Sequence, residues 1–428
     1  MRSNCLLAIF ARFPEPGRVK TRLAAGIGEE PACRIYRAIA ERTVRRADRW
    51  AQGGGRHVRI CTTRHAGPRW HRWLGNHLDI RPQSGSDLGE RMHRALARGL
   101  EDGFDAAICV GTDAPGLTAA HLAQAQEALE EADVVVGPSR DGGYYLIGVN
   151  RTAPELFRDI PWSTDRVLDA TRVAAKRAGL RVAELPTLND VDTAADLWAG
   201  AGPTSIIIPA LNEEDLVGEA VRRARMLGPA EIIVADGRST DGTARRAREA
   251  GARLVHSKRG RGSQLNAGAG AAVGETLWFL HVDCRPVPLA LWEIGQVLRD
   301  EEMVGGAFEL ALDRSTPWLR VVEATANWRS RLWGKPYGDQ AIFVRREVFE
   351  EFGGVPDWPL MEDVELARRL RHAGGMRILP RPVVASSRRW MQGGVLRTYL
   401  TMKLTQWGYY LGARPESLAR LYERGQRS

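Results

Sequence analysis

The chain has 428 residues, of which 44% are hydrophobic and 26% are charged. A chain of this length is expected to form two or three domains, and its composition excludes long disordered segments. The formal net charge of +9 indicates affinity for anionic ligands. Because the basic residues form no long block, we expect no nucleic-acid partner.

The five cysteines form no CxxC pair, which argues against a zinc site or a disulfide framework. The first residues lack the apolar core and the cleavage site of a signal peptide. No apolar run approaches the roughly 20 residues that span a bilayer. We therefore expect a cytoplasmic protein, and peripheral contact with the inner face of the membrane stays open as an alternative.

The first half of the chain alternates strand-like apolar runs with helix-like segments. The predicted strands are 6–10, 58–61, 106–110 and 134–136, and the predicted helices are 30–49, 88–100 and 119–131. Continuous apolar runs of this kind are typical of buried parallel strands.

The second half repeats this alternation. The predicted strands are 205–208, 231–235, 253–256 and 276–281, and the predicted helices are 215–226, 242–250 and 262–272. The small, flexible segment 199–203 ends in proline and suits a domain junction. We therefore predict one domain over residues 1–200 and another over 203–428. Both should be α/β domains, each with a mainly parallel sheet flanked by helices.

In the first half, basic and acidic residues follow predicted strands. Arg18, Lys20 and Arg22 lie in the loop after the first strand, where three cations beside a Pro-Gly turn favour phosphate binding over a plain basic surface loop. Asp113 follows the strand 106–110, and Asp192 lies in a later loop. These two carboxylates could share one metal ion, or either could cap a helix or a turn.

In the second half, acidic residues again follow the ends of strands. Asp236 is followed by Gly, Ser and Thr, which suits a nucleoside but also a turn with a helix cap. Asp283 ends an apolar run and could hold a hard cation. Glu362 and Asp363 precede a helical segment, so they are either a helix N-terminus or the place of a general base. Ligands of such sheets bind where these strand ends gather.

The segments 209–214, 235–243, 281–283 and 361–363, in this order, resemble family 2 glycosyltransferases of the GT-A fold over nearly all of residues 204–428. The segments 259–268, 337–340 and 386–390 are similar to the branch named for its association with radical-SAM and selenium-related domains, which is also linked to arsenosugar biosynthesis. This resemblance implies a nucleotide-sugar donor, a divalent metal and a single displacement with inversion. His281 stands where the usual metal motif has its first acid.

The resemblance assigns each matching residue a role around one donor and one acceptor. Asp363 would be the catalytic base with Glu362 beside it, and Asp283 would bind Mg²⁺ or Mn²⁺ and the diphosphate. The remaining residues would contact the nucleotide sugar. Pro209, Asn212 and Glu213 would frame the nucleoside pocket, and Asp236 would contact the base or the ribose. Arg261 and Asn266 would lie near the nucleotide, and Trp390 would close the site.

The N-terminal motifs resemble a bacterial glycosyltransferase-like family built like small nucleotidyltransferases, of the molybdenum-cofactor and phospholactate guanylyltransferase type, over most of residues 4–198. With the resemblance to the second half, this implies two tandem GT-A-like domains of the nucleotide-diphospho-sugar transferase kind. The implied roles are phosphate binding by Arg18, Lys20 and Arg22, metal binding by Asp113 and Asp192, and substrate contact by Asp87, Asp141, Gly142 and Gly143.

Three hypotheses follow for the whole chain. The first is a bifunctional transferase, in which the N-terminal domain handles a nucleotide or sugar phosphate and the C-terminal domain transfers the sugar. The second is two glycosyl transfers on one product. The third is that one domain is a non-catalytic nucleotide-binding scaffold. The acceptor could be a small molecule or lipid-like, and the oligomeric state stays open.

The tail, residues 393–422, carries apolar side chains at helical spacing among arginines and a lysine. Most such stripes pack against the rest of a protein, and we favour this interpretation over docking on a membrane surface.

Overall fold

The computed structural model describes residues 4–63 and 67–427, and they form two compact units, one up to Asp196 and one from Leu197 onward. In each unit, one sheet of seven strands lies between helices. This arrangement confirms the predicted α/β class.

The sheet of the N-terminal unit has the strand order β3-β2-β1-β4-β6-β5-β7. All neighbouring strands are parallel except β6, which is antiparallel to both β4 and β5. The strands are β1 (Cys5–Ala11), β2 (Arg56–Thr62), β3 (Asp79–Pro82), β4 (Ala106–Val110), β5 (Val134–Pro138), β6 (Tyr144–Val149) and β7 (Val182–Glu184).

Helices cover both faces of this sheet and complete its hydrophobic core. They are α1 (Thr21–Ile27), α2 (Glu29–Ala51), α3 (Pro68–Leu74), α4 (Leu88–Glu101), α5 (Ala119–Glu131), α6 (Val167–Arg177) and α7 (Ala194–Leu197). Successive side chains of β1 belong to different apolar clusters, Leu7 and Ile9 to one and Leu6 to another. This two-sided burial explains why β1 is a continuous apolar run.

The C-terminal sheet repeats this topology with the order β10-β9-β8-β11-β13-β12-β14, and β13 is again antiparallel to both its neighbours. The strands are β8 (Thr204–Ala210), β9 (Glu231–Asp236), β10 (Arg253–His256), β11 (Thr276–Phe279), β12 (Met303–Leu312), β13 (Phe343–Arg345) and β14 (Gly375–Ala385).

Helices also flank the sheet of this unit. They are α8 (Glu214–Arg225), α9 (Thr243–Glu249), α10 (Arg261–Ala271), α11 (Ala290–Leu298), α12 (Pro317–Trp333), α13 (Arg346–Glu351), α14 (Glu362–Ala373), α15 (Arg388–Gly393), α16 (Val395–Tyr410) and α17 (Pro415–Arg427). The parallel strands β8, β9 and β11 end side by side. The loops that follow them therefore gather at one edge of the sheet, where ligands of open α/β sheets bind.

The stripe of the tail is exposed where we expected it to pack. Leu396, Leu400, Leu404, Trp407 and Leu411 all lie at the surface. The packing interpretation was therefore wrong for this face, because α16 uses a different side for its contacts with the rest of the unit.

Candidate functional site

The first two loops of the C-terminal site are joined by Asn212. This residue has a left-handed backbone with φ of 53°, which asparagine tolerates better than most residues. Its side-chain oxygen accepts a hydrogen bond from the backbone N–H of Thr240 at 2.9 Å, and its own N–H donates to the hydroxyl of Ser239 at 2.9 Å. Asn212 therefore fixes the loop after β8 against the loop after β9.

Asp236 ends β9 and is only 2% exposed. Its carboxylate accepts from the backbone N–H of Ser239 at 3.2 Å, and Nδ1 of His256 lies 3.3 Å away. Pro209, half-buried on the neighbouring strand, pairs in register with Ala235 just before it. A contact between Asp236 and a nucleoside stays a prediction, since the carboxylate already holds its own loop.

Helix α10 is attached to these strand ends through a buried glutamine. The side-chain amide of Gln264 donates to the carbonyl oxygens of Ala210 at 2.6 Å and Ala235 at 3.0 Å. Its role was not predicted, because a single glutamine in a helix gives no signal of such distant partners. The bond places the N-terminus of α10, and with it Arg261, at the carboxyl ends of β8 and β9.

Asn266, also on α10, exchanges two hydrogen bonds with the backbone of Val355, at 2.7 and 3.0 Å. Its amide therefore positions the segment before α14. The side chain thus has a structural partner, and its position near the nucleotide stays a prediction.

Arg261 lies near carboxylates of two distant segments, Asp283 after β11 and the adjacent pair Glu362 and Asp363 at the start of α14. Its guanidinium lies 3.7 Å from the carboxylate of Glu362. Burial lowers the pKa of Arg261, but the carboxylates of Glu362, Asp363 and Asp283 raise it above its usual value. For Glu362, burial and the charge of Asp363 raise the pKa well above that of an ordinary glutamate, and Arg261 lowers it. The end of β11 and the start of α14 therefore face one cation.

Asp363 lies in the first turn of α14 and is held by the neighbouring loop. One of its carboxylate oxygens accepts from the backbone N–H of Gly338 at 2.8 Å. Met361, just before the helix, is buried and has φ of 74°, a strained value for a bulky side chain. Such strain is found where a fold must hold a particular geometry. Here the turn aims Asp363 at the loop that contains Gly338.

Gly338 is packed so closely that no side chain fits without movement. A Cβ atom there would lie 2.7 Å from Nε2 of His281 and 3.3 Å from the carboxylate of Asp363. His281 and Asp363 therefore face the same glycine. His281, which stands in place of an acid, is adjacent to the proposed base.

We expect Gly338→Ala to lower transfer about tenfold or more, because the new methyl group displaces His281 and Asp363 by the few tenths of an ångström that matter in a catalytic site. Gly270→Ala is the matched control: its Cβ would meet no atom within 4 Å, and alanine favours the α10 helix. Steady-state transfer rates of both variants test this. Equal rates for both variants would contradict it.

Glu213 and Asp283 form a second pair of carboxylates that influence each other. Burial and the charge of Asp283 raise the pKa of Glu213, and Arg388 lowers it. The guanidinium of Arg388 lies 3.7 Å from the carboxylate of Glu213. Glu213, Asp283 and Arg388 are therefore brought together from three separate segments. A role for Arg388 was not predicted from the sequence, which assigned a role only to the nearby Trp390.

The loop before β13 is organised by Gln340, which is fully buried. Its side-chain oxygen accepts from the hydroxyl of Ser330 at 2.7 Å, and its amide donates to the carbonyl of Phe308 at 3.0 Å. Trp390 is buried and, with Tyr337 and Asp339, lines a narrow cavity between α12 and α16. Trp390 thus adjoins the Gly338 loop, and its contact with a sugar stays a prediction.

In the N-terminal unit, Lys20 lies between the two carboxylates that were expected to share a metal. Its side chain is 5% exposed, and its ammonium lies 2.7 Å from Asp113 and 2.6 Å from Asp192. Burial lowers the pKa of Lys20, and the two carboxylates raise it above its usual value by a larger amount. We expected Lys20 to bind phosphate; in this structure it is the counter-ion of Asp113 and Asp192.

Two further acids belong to the same cluster. Burial, Asp113 and Asp141 raise the pKa of Asp190 to about 7. One carboxylate oxygen of Asp190 is buried without a hydrogen-bond partner. Asp190 was not predicted as a site residue, although it stands two positions before Asp192 in the same loop.

The other predicted site residues of this unit lie on the surface, at a helix cap or in a turn. Arg18 and Arg22 are exposed, unlike Lys20 between them. Asp87 caps α4 by accepting from the backbone N–H of Glu90 at 2.8 Å, so the structure gives it a local structural role. In the turn between β5 and β6, Asp141 accepts from the N–H of Gly143 at 3.0 Å, and Gly142 has φ of 86°.

Within residues 4–63 and 67–427, no three histidine, cysteine, aspartate or glutamate side chains are arranged so that they could hold a metal ion together. Metal binding by Asp283, Asp113 and Asp192 therefore stays a prediction.

Two family models match separate parts of the chain. Residues 46–164 match the family described as uncharacterized protein conserved in bacteria (DUF2064), and residues 205–353 match glycosyl transferase family 2. No curated protein matches the chain.

Solved structures also resemble the chain. A protein of Desulfovibrio desulfuricans G20, described as a nucleotide-diphospho-sugar transferase, is 34% identical over 45% of this chain and 84% of its own, with a TM-score of 0.42. A mannosyltransferase of Pyrobaculum calidifontis, solved with GDP-Man and Mn²⁺, is 20% identical over 52% of this chain and 68% of its own, with a TM-score of 0.40.

A third structure is glucosyl-3-phosphoglycerate synthase of Mycobacterium tuberculosis with Mn²⁺, UDP and glucosyl-3-phosphoglycerate. It is 22% identical over 50% of this chain and 83% of its own, with a TM-score of 0.38. The chain thus has a DUF2064 segment in its N-terminal unit and a glycosyl transferase family 2 segment in its C-terminal unit.

Proposed function

We propose that the C-terminal unit transfers a sugar from a nucleotide-sugar donor to an acceptor hydroxyl with inversion at the anomeric carbon. The observation that carries this proposal is the position of Arg261, whose guanidinium lies 3.7 Å from Glu362 on α14 and is also influenced by the charges of Asp363 on that helix and of Asp283 after β11. The family 2 match over residues 205–353 supports the reaction class.

Asp363 is the base of this reaction. It takes the proton of the acceptor hydroxyl as that oxygen forms a bond to the anomeric carbon, and the bond from that carbon to the diphosphate oxygen breaks. The N–H of Gly338 holds the carboxylate in place. Arg261 and Arg388 supply positive charge for the departing diphosphate.

Asp283 and Glu213 are the two carboxylates that would hold Mg²⁺ or Mn²⁺ in this unit. Carboxylate oxygens are the ligands that these cations prefer, and the charge of Asp283 raises the pKa of Glu213, so a cation would relieve the repulsion between them. Asp283, with Glu213 beside it, would hold the ion. When bound, the ion would neutralise the diphosphate of the donor.

We expect Asp283→Ala to weaken Mn²⁺-dependent donor binding by about tenfold or more, because it removes the central carboxylate of this set. Thermal-shift titration of the full chain with nucleotide sugars, with and without Mn²⁺, measures the effect. Asp113→Ala makes the same change in the N-terminal unit and reports metal-dependent binding by that unit separately. If the metal-dependent shift follows Asp113 and not Asp283, the donor site belongs to the other unit.

For the N-terminal unit we propose binding of a nucleotide or sugar phosphate, which makes the chain a bifunctional transferase. Exposed Arg18 and Arg22 supply positive charge beside the cluster of Asp113, Asp190 and Asp192. The side chains of Asp113 and Asp192 remain 50% and 39% exposed, so their outer faces can meet a ligand or Mg²⁺. Release of pyrophosphate from a nucleoside triphosphate and a sugar phosphate tests this role.

A further inference from the structure

Exposed apolar side chains of the C-terminal unit are concentrated on two helices. Of the sixteen large apolar side chains that are exposed among the described residues, eleven lie on α12 or on α16 and the residue after it. Monomeric proteins rarely expose a large contiguous apolar surface without a function for it.

On each helix these side chains form one stripe. Those of α12 are spaced three, four or seven residues apart, which places them on one side of a helix; they are Trp318, Val321, Trp328 and Leu332. Those of α16 follow the same rule, and they are Leu396, Leu400, Leu404, Trp407 and Leu411. Trp333, whose ring lies 5.0 Å from that of Trp328, extends the first stripe.

The two helices run in the same direction. On the N-terminal side of both helices, the N–H of Ser387, which precedes α15 and then α16, donates to the carboxylate of Asp313, four residues before α12, at 2.8 Å. At their C-terminal ends, the ammonium of Lys335 lies 4.2 Å from the ring centre of Tyr410. The sides that face each other are those that line the shared cavity. They carry Val322, Thr325, Ala326 and Arg329 on α12, and Tyr399, Met402, Lys403 and Gln406 on α16.

Around the axis of α12, the centre of the exposed stripe lies about 70° from the centre of the facing side. Around the axis of α16 the corresponding angle is about 110°, in the opposite sense of rotation. On parallel helices, opposite rotations bring both stripes to the same side of the pair. They therefore form one surface, which we call the α12/α16 face.

The basic side chains that flank the stripe of α16 are Arg397 and Lys403, each about 60° from it around the helix axis. On α12, Arg329 is buried, Arg320 pairs with the buried Glu323 at 2.9 Å, and Arg331 pairs with Glu309. Tryptophan and leucine on one side of a helix, with arginine and lysine around them, are typical of helices that lie in the interface of an anionic bilayer. Long basic side chains reach the headgroups while their stems stay on apolar surface.

We propose that the α12/α16 face docks on the surface of an anionic lipid bilayer. None of the helices in the described parts of the chain is long and apolar enough to cross a membrane, so the contact is peripheral. The cavity beside Trp390 and Tyr337 opens between the same two helices. Docking would therefore bring this cavity, with Trp390 and Tyr337, close to the lipid surface.

Co-sedimentation of the full chain with phosphatidylcholine vesicles, with and without phosphatidylglycerol, tests the proposal. We expect binding to the anionic vesicles that weakens as salt is raised. The double variant Leu404→Asp/Trp407→Asp should lower the bound fraction about tenfold or more, and Trp328→Asp on the other helix should also lower it. Val273→Asp, an equally exposed apolar residue of the same unit, should bind as the parent does.

Because the altered side chains are exposed, each variant should unfold at the parent's temperature, and Trp328→Asp gives a second test should the double variant fail to fold. The proposal is overturned if the parent does not bind vesicles, or if both variants bind them as well as the parent does. So does a parent that self-associates through these residues, by sedimentation velocity, without binding vesicles. None of these readouts depends on transfer activity.

Discussion

Asp363→Asn is expected to lower transfer by about 10²- to 10⁴-fold while donor binding stays close to that of the parent. Asparagine has nearly the same shape and can still accept the hydrogen bond from the N–H of Gly338, which lies 2.8 Å from the carboxylate. It cannot take a proton from the acceptor. Single-turnover transfer measures the rate, and donor titration measures binding separately.

Glu362→Gln is the matched comparison, one position earlier on α14. Because burial and Asp363 raise the pKa of Glu362, a neutral glutamine replaces a group that carries less negative charge than an ordinary glutamate. The main loss is the ion pair with Arg261. We therefore expect a smaller effect on the rate and a measurable effect on donor binding. Near-parental turnover of Asp363→Asn would remove Asp363 as the base.

The strands at the centre of both sheets could be predicted because burial on two sides gives them continuous apolar sequences. The predicted runs 6–10 and 205–208 correspond to β1 and β8. The antiparallel strands β6 and β13 were missed. An apolar run does not reveal the direction of a strand, and β13 has only three residues. Its place in the sheet follows from its pairing with β11 and β12, which are distant in the chain.

At the C-terminal site, Asp283 was selected as an acid after an apolar run and Asp363 as one of two acids before a helical segment. The resemblance assigned their roles, which stay predictions. The residues that hold the site together could not be found in this way. Gln264 and Gln340 bind backbone carbonyl groups of distant strands, and no local spacing records such contacts. The stripe of the tail was visible in the sequence, but its exposure depends on which side of α16 meets α12.

The backbone conformation of Lys20 makes its side chain differ from the other two cations of the basic loop. The sequence presents Arg18, Lys20 and Arg22 as three equivalent cations of one loop. Lys20, however, has a left-handed backbone with φ of 48°, and its side chain is buried while the two arginines are exposed. Such a conformation is uncommon outside glycine and asparagine, and nothing in the neighbouring residues predicts it.

Lys20→Met is expected to destabilise the N-terminal unit by about 1–3 kcal/mol in the absence of divalent cations. It removes the ammonium that lies 2.7 Å from Asp113 and 2.6 Å from Asp192, and leaves these carboxylates facing each other and Asp190. The loss stays moderate because Asp113 and Asp192 are half-exposed and water screens their charges. Chemical denaturation of the full chain, followed by a probe in this unit, measures it.

The same variant separates a structural from a ligand-binding role of the carboxylates. If Asp113 and Asp192 can hold Mg²⁺, loss of the competing ammonium should make the cation stabilise Lys20→Met more than the parent, since a ligand that binds the folded state raises its stability. Lys176→Met, which removes an exposed lysine from α6, should leave both the stability and the response to Mg²⁺ unchanged. A variant as stable as the parent would show that the ion pairs of Lys20 contribute nothing. If the variant is destabilised and Mg²⁺ does not restore its stability, Asp113 and Asp192 pair with Lys20 and do not bind Mg²⁺.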